Sequence, residues 1–416
     1  MMCGMEPGAL DAADGVTDGV PGAGSQRALR LANKRRLLEA LHAAGPMTQA
    51  GLSRLTGLST ATVSNLVRVL TTEGVVRTSP TTSSGRRALQ VQLVAAGTSA
   101  AVAGIDIGRR HIRIILTDLS REVITEGSRS LPAGLKAINY IHEADGLLRE
   151  LCDRAGLGRA DLLGCGVGIA GPIDARTGEI AHGAILPEWV GFNLRDHLHE
   201  RLGIPTFVDN DANLGALAEM TWGPHGEVEQ LVFVKLATGI GAGIVLDGVV
   251  YRGHIGITGE IGHTIVADYG PVCRCGNRGC LESVASVEVM LRQLTQAEEG
   301  ERFREPSDII RAIEAGDPAA WRVLEDAGLS LGRVLGSMAN VLNPEAIVIG
   351  GPLVPLGDTL LGFIRRGFER LAAPVVSAST QLTTTTLGDR AEALGACSLA
   401  LRSVPAAKWI GERSVG

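Results

Sequence analysis

The spacing of apolar residues near the start of the chain predicts three short helices followed by a hairpin. Leucines recur at helical spacing over residues 28–45, and Thr48 and Ser59 are good N-caps for two further helices. Two β-prone runs follow at residues 75–78 and 88–94, joined by a segment rich in Ser and Thr. This order of elements predicts a winged helix-turn-helix.

The third predicted helix has a face that suits contact with DNA. Its buried stripe consists of Val63, Leu66, Val67 and Leu70, which leaves mostly short polar side chains outside. The segment resembles the winged-helix DNA-binding domain at the N-terminus of bacterial transcriptional repressors, in which the third helix enters the major groove. The resemblance implies that Asn65 and Arg68 read bases. The implied DNA-contacting residues are Ser59, Thr60, Thr62, Asn65, Arg68, Arg86 and Arg87.

Charge is distributed unevenly along the chain. Residues 26–93 hold ten Arg or Lys against two Glu, a local net charge of +8, whereas the whole chain carries −6. A basic segment joined to an acidic body is typical of a nucleic-acid-binding module. The alternative is a small packing unit with a solvated basic face.

The rest of the chain predicts α/β layers, because helical segments alternate with apolar strands. A meander of strands surrounds Asp106 and Gly108 at its start. The strands are predicted at residues 101–107, 111–116, 122–127, 162–169, 205–208, 230–235, 241–246 and 346–349.

Composition adds the broad class. The 416 residues are 45% hydrophobic and 20% charged, which is an ordinary balance for a globular protein of two or three domains. The sequence shows neither a run of about 20 apolar residues nor a signal peptide, so we expect a cytoplasmic protein without a membrane span. Residues 1–25, rich in Gly, Ala and Asp, are expected to be a disordered tail.

The cysteines indicate a metal site. His263, Cys273, Cys275 and Cys280 are spaced His-x(9)-Cys-x-Cys-x(4)-Cys, and three thiolates with one imidazole suit tetrahedral zinc of the structural kind. Three further cysteines lie in apolar segments and are predicted to be buried thiols, namely Cys152, Cys165 and Cys397.

One glycine-rich motif precedes this metal loop, a second ends at its histidine, and the third motif contains its three cysteines. Residues 236–244 read Leu-Ala-Thr-Gly-Ile-Gly-Ala-Gly-Ile, residues 259–263 read Gly-Glu-Ile-Gly-His, and residues 273–282 read Cys-Arg-Cys-Gly-Asn-Arg-Gly-Cys-Leu-Glu. Over about residues 100–401 the chain resembles the ROK family, which unites bacterial sugar kinases with sugar-responsive repressors. The resemblance implies an actin-like, ribonuclease-H-like fold of two lobes with a sugar in the cleft between them.

The resemblance also implies the residues of a sugar site. They are Asn210, Asp211, Glu260, His263 and Glu282. Carboxylates and an amide offer fixed hydrogen-bonding groups to vicinal hydroxyls. Asp211 matches the general base of the family kinases. Read alone, Asn210 and Asp211 would suit a loop cap. If His263 binds zinc through one ring nitrogen, the other is free for a sugar hydroxyl.

The first phosphate loop departs from the kinase pattern. Family kinases carry Asp-x-Gly-Gly-Thr-Lys, whereas residues 106–111 read Asp-Ile-Gly-Arg-Arg-His. Arg109 in place of a glycine obstructs the approach of backbone to phosphate, and the Thr-Lys pair is lost. The glycines at 239, 241, 350 and 351 remain. We therefore expect no efficient kinase activity and no catalytic residues.

The sequence hypothesis is a sugar-responsive transcriptional regulator of the repressor type that binds operator DNA and a monosaccharide. Its expected divisions are the tail at 1–25, the winged helix at 26–95 and a two-lobed sugar-binding domain at 100–404, with a zinc loop at about 263–282. A palindromic operator, with half-sites about 34 Å apart, implies a homodimer or higher homo-oligomer. The alternatives are an ATP-dependent sugar kinase that retains a DNA-binding domain, and a metal sensor in which zinc occupancy is the signal.

Overall fold

The structure is a computed structural model that describes residues 26–83, 86–93, 100–132, 134–174, 177–180, 189, 191–297 and 302–404. The chain divides into two compact units between Val91 and Gln92. The tail expected at 1–25 lies outside the described residues, as do residues 94–99.

The N-terminal unit contains three helices and a three-stranded sheet of order β1-β3-β2. Its elements are α1 (Gln26–Ala44), β1 (Met47–Thr48), α2 (Gln49–Thr56), α3 (Thr60–Thr72), β2 (Val76–Ser83) and β3 (Arg86–Leu93). Thr48 caps α2 by accepting from the Gly51 amide at 3.2 Å, and Ser59 caps α3 by accepting from the Thr62 amide at 3.1 Å. Both capping predictions are confirmed, and so is the buried stripe of α3.

The hairpin differs from the prediction in its strand lengths. The strands β2 and β3 leave only residues 84 and 85 between them, whereas the sequence predicted a connection over 79–87. Pro80 does not end β2 because β2 is an edge strand, where the missing amide hydrogen is not needed. Arg86 and Arg87 therefore begin β3 instead of lying in a long loop.

The C-terminal unit contains two five-stranded sheets of the same topology. Their orders are β6-β5-β4-β7-β8 and β11-β10-β9-β12-β13. In each sheet the first three strands along the chain pair antiparallel, and the last two add parallel neighbours on the other side. The strands are β4 (Ala101–Ile107), β5 (His111–Asp118), β6 (Val123–Ser130), β7 (Leu162–Ile169), β8 (Thr206–Asn210), β9 (Leu231–Leu236), β10 (Ile240–Leu246), β11 (Val249–Val250), β12 (Ala346–Gly350) and β13 (Gln381–Thr384).

Helices cover both sheets and fill the space between them. They are α4 (Ala137–Ala155), α5 (Leu194–Leu202), α6 (Asp211–Thr221), α7 (Leu281–Ala285), α8 (Val287–Ala297), α9 (Pro306–Glu314), α10 (Pro318–Leu342), α11 (Asp358–Leu371), α12 (Pro374–Ser379) and α13 (Ala391–Ser403). None of the described helices is long and apolar enough to cross a membrane.

The two sheets share one core layer, formed by α6 and α13. Glycines in the first sheet let α13 approach closely, since a Cβ at Gly104 would lie 2.1 Å from the Ala393 carbonyl oxygen, and one at Gly166 would lie 1.9 Å from that of Ala396. Cys152, Cys165 and Cys397 are buried free thiols, as predicted. The packing places the start of α6 at the carboxyl end of β8, where the candidate site lies.

Candidate functional site

Asn210 and Asp211 lie where β8 meets α6. The Asn210 side chain caps the helix, because its Oδ1 accepts from the amides of Ala212 at 2.9 Å and Asn213 at 3.4 Å. Its Nδ2 donates to the Gly171 carbonyl at 3.0 Å. The capping role that the sequence offered as the alternative is therefore real. It fixes the helix start that presents the Asp211 carboxylate.

Glu260 and His263 lie on a loop that is fastened to strand β10. Gly259 has a positive φ of 84°, and a Cβ there would lie 1.7 Å from the Ala242 carbonyl oxygen. The Ala242 amide donates to the Gly259 carbonyl at 2.8 Å. Only glycine allows this close approach, so the Gly-Glu-Ile-Gly-His sequence holds both functional side chains against the second sheet.

Glu282 lies in the first turn of α7 and is buried. Its Oε2 accepts from the Ile240 amide at 3.3 Å, and its Oε1 pairs with Arg274 Nε at 2.9 Å. Sequence reasoning missed Arg274, although it stands inside the quoted cysteine motif. This arginine links the cysteine loop directly to a predicted sugar ligand.

The structure brings the predicted sugar-site carboxylates close enough to affect one another. Burial, together with the charges of Asp211 and Glu282, raises the pKa of Glu260 to about 7. A carboxyl group of this kind can donate as well as accept a hydrogen bond near neutral pH. That pair of states suits recognition of sugar hydroxyls.

The four predicted metal ligands converge. One ligand atom from each of His263, Cys273, Cys275 and Cys280 lies within 4.8 Å of the others. Cys273 Sγ is 3.6 Å from His263 Nδ1, and Cys275 Sγ is 3.7 Å from Cys280 Sγ. Tetrahedral zinc, with metal–ligand bonds of about 2.0–2.3 Å, separates its ligands by about 3.5–3.8 Å. The cluster could therefore hold a metal ion of that size and softness.

The orientation of the His263 ring agrees with this fit, whereas the thiols favour the protonated form when no metal is bound. Burial and the neighbouring thiols raise the pKa of Cys280 to about 12, and a divalent cation among the sulfurs would reverse that preference. Since Nδ1 of His263 faces the thiols, Nε2 faces outward and lies 3.8 Å from Glu260 Oε2. The imidazole thus stands between the metal ligands and a predicted sugar ligand.

Lys235, whose side chain is 15% exposed, pairs with Asp211, and sequence reasoning missed it. Lys235 Nζ lies 2.9 Å from Asp211 Oδ2 and 3.2 Å from Glu392 Oε1. Burial favours the neutral amine, but the neighbouring carboxylates outweigh it and hold the pKa of Lys235 well above its ordinary value. The sequence signal was a single cation in the apolar strand Leu231–Leu236.

Asp106, from the degenerate phosphate loop, belongs to the same charged cluster. Burial opposes its charge, but Lys235 and a 2.9 Å hydrogen bond with His111 Nε2 lower the pKa of Asp106. Arg109, the residue in place of the family glycine, pairs with Glu288 at 2.6 Å. The loop side chains are thus engaged with the protein itself.

The N-terminal unit presents the predicted DNA-reading face of α3 to solvent. Thr60, Asn65 and Arg68 are exposed, and Thr62 is half-buried. Arg68 Nη2 donates to Asn65 Oδ1 at 3.0 Å, so the two predicted base readers are adjacent. Of the residues named from the wing, the side chains of Arg86 and Arg87 lie outside the description.

The geometry agrees with comparisons to known proteins, and the chain belongs to the ROK family. The ROK family model matches residues 102–403, and the MarR family model matches residues 32–87. A xylose repressor from Bacillus spizizenii is 30% identical over 380 residues, which cover 90% of this chain and 96% of the relative.

Two further relatives show both branches of the family. A glucokinase from Halalkalibacterium halodurans is 34% identical over 308 residues, covering 70% of this chain and 92% of the relative. The crystal structure of a ROK family transcriptional regulator, a homolog of the E. coli MLC protein, matches with a TM-score of 0.71 at 26% identity. That match covers 92% of this chain and 99% of the other.

Proposed function

We propose that the chain is a sugar-responsive transcriptional repressor, which binds operator DNA through α3 and the wing. A monosaccharide binds at Asn210, Asp211, Glu260, His263 and Glu282, and a structural zinc bound by His263 and the three cysteines shapes that site. The proposal rests on one observation above all, the Lys235 ion pair to Asp211, in a chain that also carries a winged helix.

The contacts of Asp211 compete with its use as a general base. A general base must accept the proton of the attacking hydroxyl, and both Asp211 oxygens already accept hydrogen bonds, Oδ2 from Lys235 at 2.9 Å and Oδ1 from the Ala212 amide at 2.8 Å. Sugar hydroxyls can still bind to the neighbouring acceptors. The xylose repressor relative makes xylose the first sugar to test.

The test is operator binding in the presence of sugars. Genomic fragments that the full chain retains would supply the operator, and fluorescence anisotropy would measure its affinity with xylose, glucose and amino sugars. We expect one sugar to change the affinity by about fivefold to a hundredfold. An operator affinity that no sugar of the panel changes would contradict the proposal.

A matched pair of variants assigns the response to the site. Glu260→Ala should abolish the sugar response and leave operator affinity unchanged, because Glu260 is partly exposed and carries no structural partner at hydrogen-bonding distance in the described chain. Glu314→Ala, on the exposed side of α9, should behave as the unmodified chain. The opposite pattern would place the sugar elsewhere.

The second candidate function is an ATP-dependent sugar kinase with a retained DNA-binding unit. The glucokinase relative favours it, as does the retained glycine turn at Gly351, where φ is 113° and a Cβ would lie 2.0 Å from the Leu236 carbonyl oxygen. A coupled ADP-release assay decides between the two. We expect the unmodified chain to release ADP no faster than Asp211→Asn, at the background rate of the assay. Sugar-dependent release that disappears in Asp211→Asn would establish the kinase instead.

A further inference from the structure

A cavity of about 450 Å³ opens beside β8, the edge strand of the first sheet. Its apolar wall includes Phe207, Leu217 and Leu399. Its charged lining residues are Arg195, Asp209, Arg252 and Arg402, and the Asp209 carboxylate is paired with Arg252. Among the described residues, the lining includes neither the five predicted sugar ligands nor the four metal ligands. The cavity therefore belongs to neither site.

Arg402 is the polar group of this cavity that lacks a partner. It lies at the end of α13, and its Nε is buried without a hydrogen bond. Across the described ranges, no carboxylate or carbonyl oxygen contacts its guanidinium. Arg252, by contrast, donates to Asp209 Oδ2 through Nη2 at 2.6 Å and Nε at 3.1 Å.

The charges around Arg402 repel one another. Burial, followed by the charge of Arg252, lowers the pKa of Arg402. Burial, followed by the charge of Arg402, lowers the pKa of Arg121 to about 10. Arg402 is half-buried, and its Nε is fully buried. A cation in such a position without a counter-charge is costly, and a bound anion would lower that cost.

We propose that this cavity is a binding site for a small organic anion, with a carboxylate or phosphate group on Arg402 and an apolar body against Phe207, Leu217 and Leu399. An oxyanion suits a guanidinium because it can accept two parallel hydrogen bonds. The apolar wall suits a ligand with a hydrocarbon or ring surface. The proposal does not rest on the proposed sugar response.

Isothermal titration calorimetry on the full chain tests the proposal with three matched probes. Benzoate and phenyl phosphate carry the two candidate anionic groups, and benzyl alcohol is the uncharged control. We expect at least one anion to bind about tenfold or more tightly than benzyl alcohol. The stronger of the two anions identifies the preferred group. Equal binding of all three probes would overturn the proposal.

The variants Arg402→Gln and Arg292→Gln separate the site from general charge effects. Arg402→Gln should weaken anion binding by about tenfold to a hundredfold, whereas the exposed Arg292→Gln should not. Arg402→Gln should also keep or raise the melting temperature, because it removes an unpaired buried charge. Unchanged binding in Arg402→Gln, or a fall of several degrees in its melting temperature, would contradict an anion site.

Discussion

Lys235 illustrates how a single residue sets the chemistry of the cleft. Its ammonium group forms ion pairs with Asp211 and Glu392. Its charge also lowers the pKa of Asp106. Three carboxylates from three distant parts of the chain therefore share one cation. Burial and the other carboxylates raise the pKa of Glu392, although Lys235 opposes this. Removal of the lysine is therefore expected to destabilise the cluster.

Lys235→Met should lower the free energy of unfolding by about 3 kcal/mol at pH 8, since it leaves buried carboxylates without a counter-charge. The pKa of Glu392 is already raised by burial and by the neighbouring carboxylates, and it should rise further above its value in the unfolded chain when the opposing charge of Lys235 is removed. Protonation then favours the folded state, so the deficit should shrink as the pH falls towards 5. Urea unfolding at the two pH values measures it.

The control for this change is Lys136→Met. Lys136 is exposed and precedes α4 without a side-chain capping bond, so its loss should change the free energy of unfolding by less than about 0.5 kcal/mol. Equal stability of Lys235→Met and the unmodified chain would show that the ion pairs contribute nothing.

The sequence predicted two carboxylates of this charged cluster, but not the lysine that joins them or the third carboxylate. Asp106 and Asp211 stand in motifs whose spacing is informative. Lys235 and Glu392 stand in apolar segments where the sequence signal is one charge among hydrophobic neighbours. Their meeting depends on the pairing of β9 with β10 and on the packing of α13, which local patterns do not encode. The unpaired state of Arg402 was hidden for the same reason.

At the scale of elements, the cysteine loop contacts the proposed sugar site at two points. His263 reaches towards Glu260, and Arg274 pairs with Glu282. Loss of the metal should release both contacts, because the loop conformation depends on its four ligands.

Cys275→Ser should therefore lose zinc and weaken sugar binding by about tenfold to a hundredfold. Cys275 is exposed, so the effect cannot come from a cavity in the core. Tyr269 lies in the same loop and is 97% exposed, so Tyr269→Ser should keep one zinc per chain. Metal content is measured by mass spectrometry and sugar affinity by calorimetry. Sugar binding that survives metal loss would refute the scaffold role.

A graded change of operator affinity over a series of buffered zinc concentrations, without sugar, would instead favour the metal-sensor alternative. The structural role predicts a single loss on complete chelation. The two outcomes differ in the shape of the titration, so one experiment distinguishes them.

The recognition helix supplies a second prediction at this scale. Arg68→Ala should lower operator affinity by about 1–3 kcal/mol and relax the preference at one base position, if Arg68 contacts a base edge. The fold should be unaffected because the side chain is exposed. Arg54→Ala on α2 removes the same charge from a different helix, and it should leave the base preference unchanged. Selection on randomised operators measures both.

Element boundaries followed from the sequence wherever the apolar pattern was long. The strands predicted at 101–107 and 162–169 have those bounds in the structure. The strands β1 and β11, each of two residues, are too short to leave a pattern. The wing strands were predicted too short, since Pro80 and the serines around it read as a loop.

At the scale of the whole molecule, the two sheets of the C-terminal unit repeat a topology that the sequence does not visibly repeat. Each sheet has three antiparallel strands extended by two parallel ones, in the same order. Topology is set by the order and pairing of strands, and many unrelated apolar sequences satisfy it. The duplication therefore became evident only in the structure.

The proposed function links sugar and operator, and linkage imposes a test on the whole chain. If a sugar lowers operator affinity by a given factor, operator DNA must lower sugar affinity by the same factor. We expect sugar titrations by calorimetry, with and without saturating operator, to differ by the factor found in the DNA titrations. Glu260→Ala should remove the effect in both directions. Unequal factors would mean that the sugar acts through a change in assembly, and the same titrations at two protein concentrations would reveal that dependence.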